Sequence, residues 1–204
     1  MAGDKKGVKN TVITVIFILM IGAAVFAGYF FFKKAADERA RKNNEQKNEP
    51  TEIEKIIAVN LDIQYPETAR AVVKFYCRVV KAFHDVTPED AELSKLQYQL
   101  RKIYDDELNE NNNVTDQFKQ LKSEILEYDS LNRTIDDYVV DAAGNSETWT
   151  ADGQSFYRII ANFTLKENGK YFTLYEEFLL RKDDAGKWKI VGWRRVDKDG
   201  LTNK

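Results

Sequence analysis

An uncharged stretch near the amino terminus constrains this chain more than any other feature. Residues 11–32, TVITVIFILMIGAAVFAGYFFF, contain no charged side chain, and lysines flank them on both sides. At about 1.5 Å per residue, a helix of this length spans the ~30 Å hydrocarbon core of a bilayer. The sequence therefore predicts a single transmembrane helix over 11–32, with the membrane lipid bilayer as its partner.

The fate and orientation of this segment follow from its flanks. Residues 25–27, VFA, match a signal-peptide cleavage pattern, but the apolar run continues past them, which favours an uncleaved anchor. Cations are more numerous after the segment than before it, and the positive-inside rule then places the rest of the chain in the cytoplasm. A short basic head followed by one apolar helix is instead typical of a signal anchor. We predict a single-pass protein of the cell membrane with an extracytoplasmic carboxy-terminal domain.

The rest of the chain divides by composition. Residues 1–10 form a short basic tail, and 33–51 form a mixed-charge stalk with almost no large apolar side chains. Residues 52–204 form the folded domain. Charged residues make up 31% of the sequence and aromatic residues 12%, which is typical of a globular domain rather than of a disordered chain.

Charge and residue usage exclude several classes of function. The formal net charge is -2, so no global basic field attracts nucleic acid, and we predict no nucleic-acid partner. Cys77 and His84 are the single residues of their types, which argues against an internal disulfide, a thiolate-rich zinc site and a histidine-based metal site. We also predict no cofactor. Because adjacent helical side chains do not face each other, an interaction of His84 with the helix dipole is a simpler interpretation than a His84–Asp85 pair.

Apolar residues spaced three and four apart predict three helices after the stalk. The first starts at Pro66, the second is capped by Thr87 with Pro88 in its first turn, and the third is capped by Thr115 or Asp116. Their predicted core faces include Val72, Tyr76, Phe83, Leu96, Leu100, Leu121 and Tyr128.

From Thr134 the period changes to two, which indicates strands. Four strands are predicted, at 135–140, 155–166, 171–182 and 188–196. Turn sequences separate the last three, and Asn168-Gly169 is a strong hairpin signal. We therefore predict an α+β domain in which three helices pack on a curved antiparallel sheet.

The order of helices followed by a meander, together with GKWKIVGW at 186–193, resembles the nuclear-transport-factor-2-like superfamily of cone-shaped domains. With one amino-terminal apolar helix, the layout is also similar to the bitopic component of type IV secretion systems. Tyr65-Pro66 at the start of the first long helix resembles anchored proteins of gut Firmicutes. The superfamily includes isomerases, dehydratases, ligand carriers and assembly modules, so this resemblance does not select one function.

One carboxylate interrupts an apolar strand face. The even positions of strand 171–182 are Phe172, Leu174, Glu176, Phe178 and Leu180. Enzymes of the resembled superfamily keep an acid, a histidine or a tyrosine inside the cone. If this face lines such an interior, burial raises the pKa of Glu176 and makes it a candidate general base. The alternatives are a register bulge, a position at the solvent-exposed mouth, or an ion pair with Arg158 or Arg194. The predicted ligand-pocket walls are Tyr157, Tyr175 and Phe178.

The last predicted strand carries two tryptophans. On a regular strand, residues five apart point to opposite faces, so Trp188 and Trp193 are not expected to form one base-stacking platform. We predict that both pack in the core or in an interface, with Arg194 and Arg195 as contacts at the rim.

Small residues in the apolar segment predict helix pairing. Gly22, Ala24 and Gly28 include a small-xxx-small spacing, which allows two helices to approach closely.

Two functions are compatible with these features. The first is a non-catalytic, membrane-anchored interaction module at the bacterial cell envelope that binds an envelope protein or a second copy of itself. The alternative is a cone that binds a small hydrophobic ligand, or acts like an isomerase or dehydratase, through Glu176.

Overall fold

The computed structural model describes residues 49–140 and 146–197, and from Thr51 onward these belong to one compact unit. Its class is α+β. The helices are α1 Glu52–Ile57, α2 Ala69–Asp85, α3 Asp90–Ile103, α4 Asp106–Asn111 and α5 Val114–Ser130. The strands are β1 Arg133–Val140, β2 Glu147–Ala151, β3 Gln154–Glu167, β4 Lys170–Lys182 and β5 Trp188–Val196.

The prediction of three helices is wrong, because the described ranges contain five. The two extra helices, α1 and α4, have six residues each. Fewer than two turns contain too few residues to show an apolar period. Side-chain caps mark their starts instead, since Thr51 accepts a hydrogen bond from the N–H of Glu54 and Asp105 accepts one from that of Glu107.

The starts of the three long helices also differ from the prediction. Thr68 caps α2, so this helix begins after Pro66, and Glu89 rather than Thr87 is the cap residue of α3. Asn113 caps α5 by accepting hydrogen bonds from two backbone N–H groups. Apolar spacing identifies the buried face of a helix, whereas the start depends on which polar side chain reaches the free N–H groups.

No described helix is both long and apolar enough to cross a membrane. The longest, α2 and α5, have 17 residues each and carry charged side chains on one face, whereas a span needs about 20 apolar residues. The predictions of a single-pass anchor and of a location at the cell membrane are corrected by this finding. The segment predicted at 11–32 lies outside the described residues.

The five strands form one antiparallel sheet in the order β1-β3-β4-β5, with β2 also paired to β3. β1 pairs with residues 161–167 and β2 with residues 154–158, so the two lie end to end along the same edge of β3. The prediction of four strands missed β2, a five-residue strand with only one half-buried position. Burial of so few side chains leaves no clear alternation to read.

The hairpin predicted between β3 and β4 is confirmed. Asn168 and Gly169 both have positive φ angles, of 47° and 80°. Two successive residues of this kind match the right-handed twist of the adjoining strands.

Replacing Gly169 by alanine is expected to lower the free energy of unfolding by about 1–2 kcal/mol, because a Cβ is unfavourable at positive φ. Gly192 is the control: an added Cβ there has open space, and its φ lies outside the positive range. Gly192→Ala should change stability by less than about 0.5 kcal/mol. Urea unfolding of both variants tests this, and equal losses would contradict the role of the turn.

An irregularity in β5 changes which side chains face the helices. Leu179 of β4 pairs with Gly192, but the next residue, Leu180, pairs with Ile190. Val191 is therefore an extra residue on β5, that is, a β-bulge.

The bulge reverses the alternation after Val191. Ile190 is fully buried against the helices, and Trp193 and Arg195 point to the same side as Ile190. The prediction that Trp188 and Trp193 lie on opposite faces is wrong, because it assumed a regular strand. This one-residue shift brings Trp193 and Arg195 to the inner face of the sheet.

The core lies between the inner face of the sheet and the helices. α2 packs across β1, β3 and β5. The side chains that are 0% exposed include Val72, Val73 and Val79 on α2 and Ile159, Phe178, Leu180 and Ile190 on the sheet.

The end of α3 is tied to the sheet by Asp105. Its N–H donates a hydrogen bond of 2.9 Å to the carbonyl of Ile190, and its Oδ2 accepts one of 2.8 Å from Nε of Arg181. Burial acts to raise the pKa of Asp105, but the hydrogen bonds from Arg181 and from the N–H of Glu107, together with the positive charges of Arg181 and Lys189, outweigh burial and the pKa is lowered. These contacts hold Tyr104, the preceding residue, against the sheet.

Candidate functional site

A cavity of ≈ 410 Å³ opens between the helices and the inner face of the sheet. This volume lies within the range of about 300–1,000 Å³ found for small-molecule sites. Its apolar walls are formed by Val80, Phe83, Leu100, Leu108, Leu121, Ile135, Phe163, Leu165 and Leu174. The remaining lining residues are aromatic, polar or charged, so the cavity combines an apolar interior with a few polar groups.

Three aromatic rings form one continuous wall. The ring centroids of Tyr76 and Trp193 are 5.1 Å apart, and those of Tyr104 and Trp193 are 5.7 Å apart. Phe178 packs behind this wall, with its centroid 5.1 Å from that of Tyr76. Burial raises the pKa of both tyrosines, so their phenols stay neutral hydrogen-bond donors at physiological pH.

Glu176 lines the cavity on β4, on the same face as Phe178. Its side chain is half-buried, and no described group donates a hydrogen bond to it. Burial raises the pKa of Glu176 from 4.5 to about 7, with a further rise from Glu124, while the charge of Arg195 acts in the opposite direction. The carboxyl group is therefore divided between its neutral and charged forms near neutral pH.

Arg195 lies directly across from Glu176 in the sheet. The two residues are register partners on β5 and β4, and both line the cavity. No carboxylate in the described ranges lies within 4.0 Å of the Arg195 guanidinium, so it forms no salt bridge there. The cavity thus holds a carboxyl group and a guanidinium cation on one face. Neither side chain forms a salt bridge with another described residue.

The alternative partners predicted for Glu176 bind its neighbour instead. Arg194 donates a hydrogen bond of 3.0 Å to Glu177, and Arg158 lies 3.7 Å from the same carboxylate. Glu177 points to the outer face of the sheet, opposite to Glu176. Arg158 does not line the cavity, whereas Arg194 does line it, but its guanidinium is paired with Glu177.

A second titratable group lies behind the cavity wall. The His84 side chain is fully buried and stacks on the ring of Tyr128, with centroids 3.8 Å apart. Its Nε2 is 3.4 Å from Oε1 of Glu124, but the geometry is not that of a hydrogen bond, and neither ring nitrogen has a hydrogen-bond partner among the described residues. The acid near His84 is thus Glu124 of α5 and not the adjacent Asp85.

Of the predicted catalytic and ligand-pocket residues, only Glu176 lines the cavity, and Arg194 and Arg195, which were predicted as contacts at the rim, line it as well. Phe178 is fully buried behind it, Tyr157 packs against Trp188 at 5.7 Å, and Tyr175 lies on the opposite face of β4 from Glu176. The residues predicted for helix packing, Gly22, Ala24 and Gly28, lie outside the described residues. The role of Glu176 as a general base stays a prediction.

Several lining residues were missed as site candidates. Tyr76 and Tyr128 fit the apolar stripes of their helices, and Glu124 looks like a solvent-facing acid of α5. Tyr104 follows the last residue of α3, where no periodicity applies. For the three tyrosines the only available signal was the residue type, since a buried tyrosine retains a polar hydroxyl that needs a partner or a cavity.

In the described part of the chain, no group of three or more histidine, cysteine or acidic residues is arranged to hold a metal ion. Residues 1–193 match the model of a family described as a domain of unknown function, DUF6715. The chain belongs to this family. No curated protein matches it. The family description assigns no activity, so any functional conclusion rests on the cavity and its residues.

Proposed function

We propose that this domain binds a small, largely apolar molecule in the cavity, with Glu176 as the polar contact inside it. The observation that carries this proposal is an acid at an apolar and aromatic wall with no hydrogen bond from a described group. The cavity has the volume and lining of a small-molecule site, namely apolar walls with a few converging polar groups.

The energetic argument concerns the cost of burying Glu176. A carboxyl group without a hydrogen-bond partner costs free energy when it is removed from water, and a leucine at this position would instead extend the apolar face. The raised pKa of Glu176 expresses this cost. Glu176 lowers the stability of the fold at neutral pH, and contact with a ligand would explain why a carboxyl group occupies this position.

The sequence also favoured an interaction module. The outer face of the sheet carries the Glu177 ion pairs with Arg158 and Arg194. A protein partner or a second copy of the chain at this face stays a prediction. We regard ligand binding as the better supported of the two.

A neutral, apolar fluorescent probe, N-phenylnaphthylamine, tests the proposal on the full chain. We expect its fluorescence to rise on binding to the wild-type protein and the affinity to fall at least about tenfold for Leu121→Arg. The reason is that Leu121 lines the cavity, so an arginine there adds both bulk and charge.

Leu126→Arg is the matched control. Leu126 lies on the same helix, α5, but its side chain is 59% exposed and does not line the cavity. This variant should bind the probe like the wild-type protein. Equal affinity of all three proteins would show that the probe binds elsewhere and would contradict a ligand site in the cavity.

A further inference from the structure

The chemistry of the ligand can be inferred from two facing side chains, and this inference rests on the proposed function. Glu176 and Arg195 are cross-strand partners, which places their Cβ atoms about 4.5–5.5 Å apart on the inner face. Neither makes a hydrogen bond or salt bridge with another described residue. A guanidinium and a carboxyl group therefore both have hydrogen-bonding capacity left for a third group between them or above them.

We propose that the ligand is an apolar carboxylic acid whose carboxylate binds Arg195 and accepts a hydrogen bond from the protonated carboxyl of Glu176. The guanidinium of arginine suits a carboxylate because its parallel N–H groups match the two oxygens. The apolar body of the ligand would lie against the aromatic wall and the leucines of the cavity.

The charges around Glu176 favour an anion over a cation. The titratable or charged groups that interact electrostatically with it are Tyr76 and Cys77 on α2, Tyr104 after α3, Glu124 and Tyr128 on α5, and Arg195 on β5. Arg194 also lines the cavity, but it is paired with Glu177. Burial keeps the tyrosines and the cysteine neutral. Glu124 is the one anion, and it is 47% exposed and close to His84.

The aromatic residues do not form a cation-binding cage. The rings of Tyr76, Tyr104 and Trp193 pack against one another at centroid distances of 5.1–6.5 Å. A cage instead holds ring faces around a space that the cation fills. These three rings form one wall, which suits an apolar ligand body.

Naphthoate and its neutral analogue naphthamide, measured by titration calorimetry with the full chain, test the inference. Near pH 6 we expect naphthoate to bind at least about tenfold more tightly than naphthamide, because only the acid pairs with Arg195. Near pH 8 the affinity for naphthoate should fall about tenfold, because roughly a tenth of Glu176 then carries its proton. The affinity for naphthamide should change little.

Two arginines of the sheet provide the matched variants. Arg195→Gln should abolish the preference for the acid, whereas Arg158→Gln should keep it, since Arg158 does not line the cavity and lies 3.7 Å from the Glu177 carboxylate on the outer face. Equal binding of acid and amide, or tighter binding of naphthylmethylammonium, would overturn the inference. In that case cavity-dependent binding of N-phenylnaphthylamine would still support the proposed function. Loss of that dependence would overturn both.

Discussion

Replacing Phe178 by alanine is expected to lower the free energy of unfolding by about 3–5 kcal/mol. The side chain is 0% exposed, and its ring packs edge-on against Tyr76 with centroids 5.1 Å apart. It also stacks on Trp193 at 6.2 Å. Alanine would remove these contacts and leave a hole behind the aromatic wall, which the rigid sheet cannot fill by collapsing.

The control for this variant lies on the same strand and the same face. Phe172 is 42% exposed at the far end of β4, so Phe172→Ala should cost less than about 1 kcal/mol. Guanidinium unfolding of the full chain, followed by tryptophan fluorescence, measures both values. Similar losses for the two variants would show that Phe178 is not the centre of the core under the cavity.

Replacing Glu176 by glutamine is expected to stabilise the protein at neutral and alkaline pH. In the folded protein, burial raises the pKa of Glu176 from 4.5 to about 7, whereas in the unfolded chain it returns to its ordinary value. Between these two pH values the unfolded state loses its proton first, so the contribution of Glu176 to stability falls as pH rises. Above about pH 7 the loss is complete.

The size of the effect follows from the pKa difference. It corresponds to about 3 kcal/mol, and partial exposure of the group reduces this to about 2 kcal/mol. Glu176→Gln should therefore match the wild-type protein near pH 4 and be about 2 kcal/mol more stable near pH 8. Urea unfolding across this pH range measures the difference directly.

Glu177→Gln is the control for the loss of one negative charge. Glu177 forms ion pairs with Arg194 and Arg158 on the outer face, so its removal should give no gain in stability at alkaline pH. A difference between Glu176→Gln and the wild-type protein that is the same at pH 4 and pH 8 would contradict the raised pKa. The ligand site would then lose its main energetic support.

Part of this fold could be read from local patterns. The helical stripe of α2 and the alternation along β3 and β4 reflect burial of one face, which repeats with the period of the element. Asn168-Gly169 formed the expected turn because few other residues adopt positive φ at both positions. The short elements α1, α4 and β2 were not predicted, because each buries too few side chains to form a recognisable pattern. The predicted membrane location was corrected, because no described helix has the length and apolarity of a membrane span.

The candidate site shows where local pattern stops being informative. Glu176 was recognised from the chain alone because its neighbours at even positions on β4 are all apolar, and alternation assigns them to one face. The groups around it come from elsewhere: Tyr76 from α2, Glu124 from α5 and Arg195 from β5. Arg195 faces Glu176 only because of the bulge at Val191, which depends on how β4 and β5 pair. Strand register is set by packing between distant segments, so no local pattern in β5 could have revealed that pair.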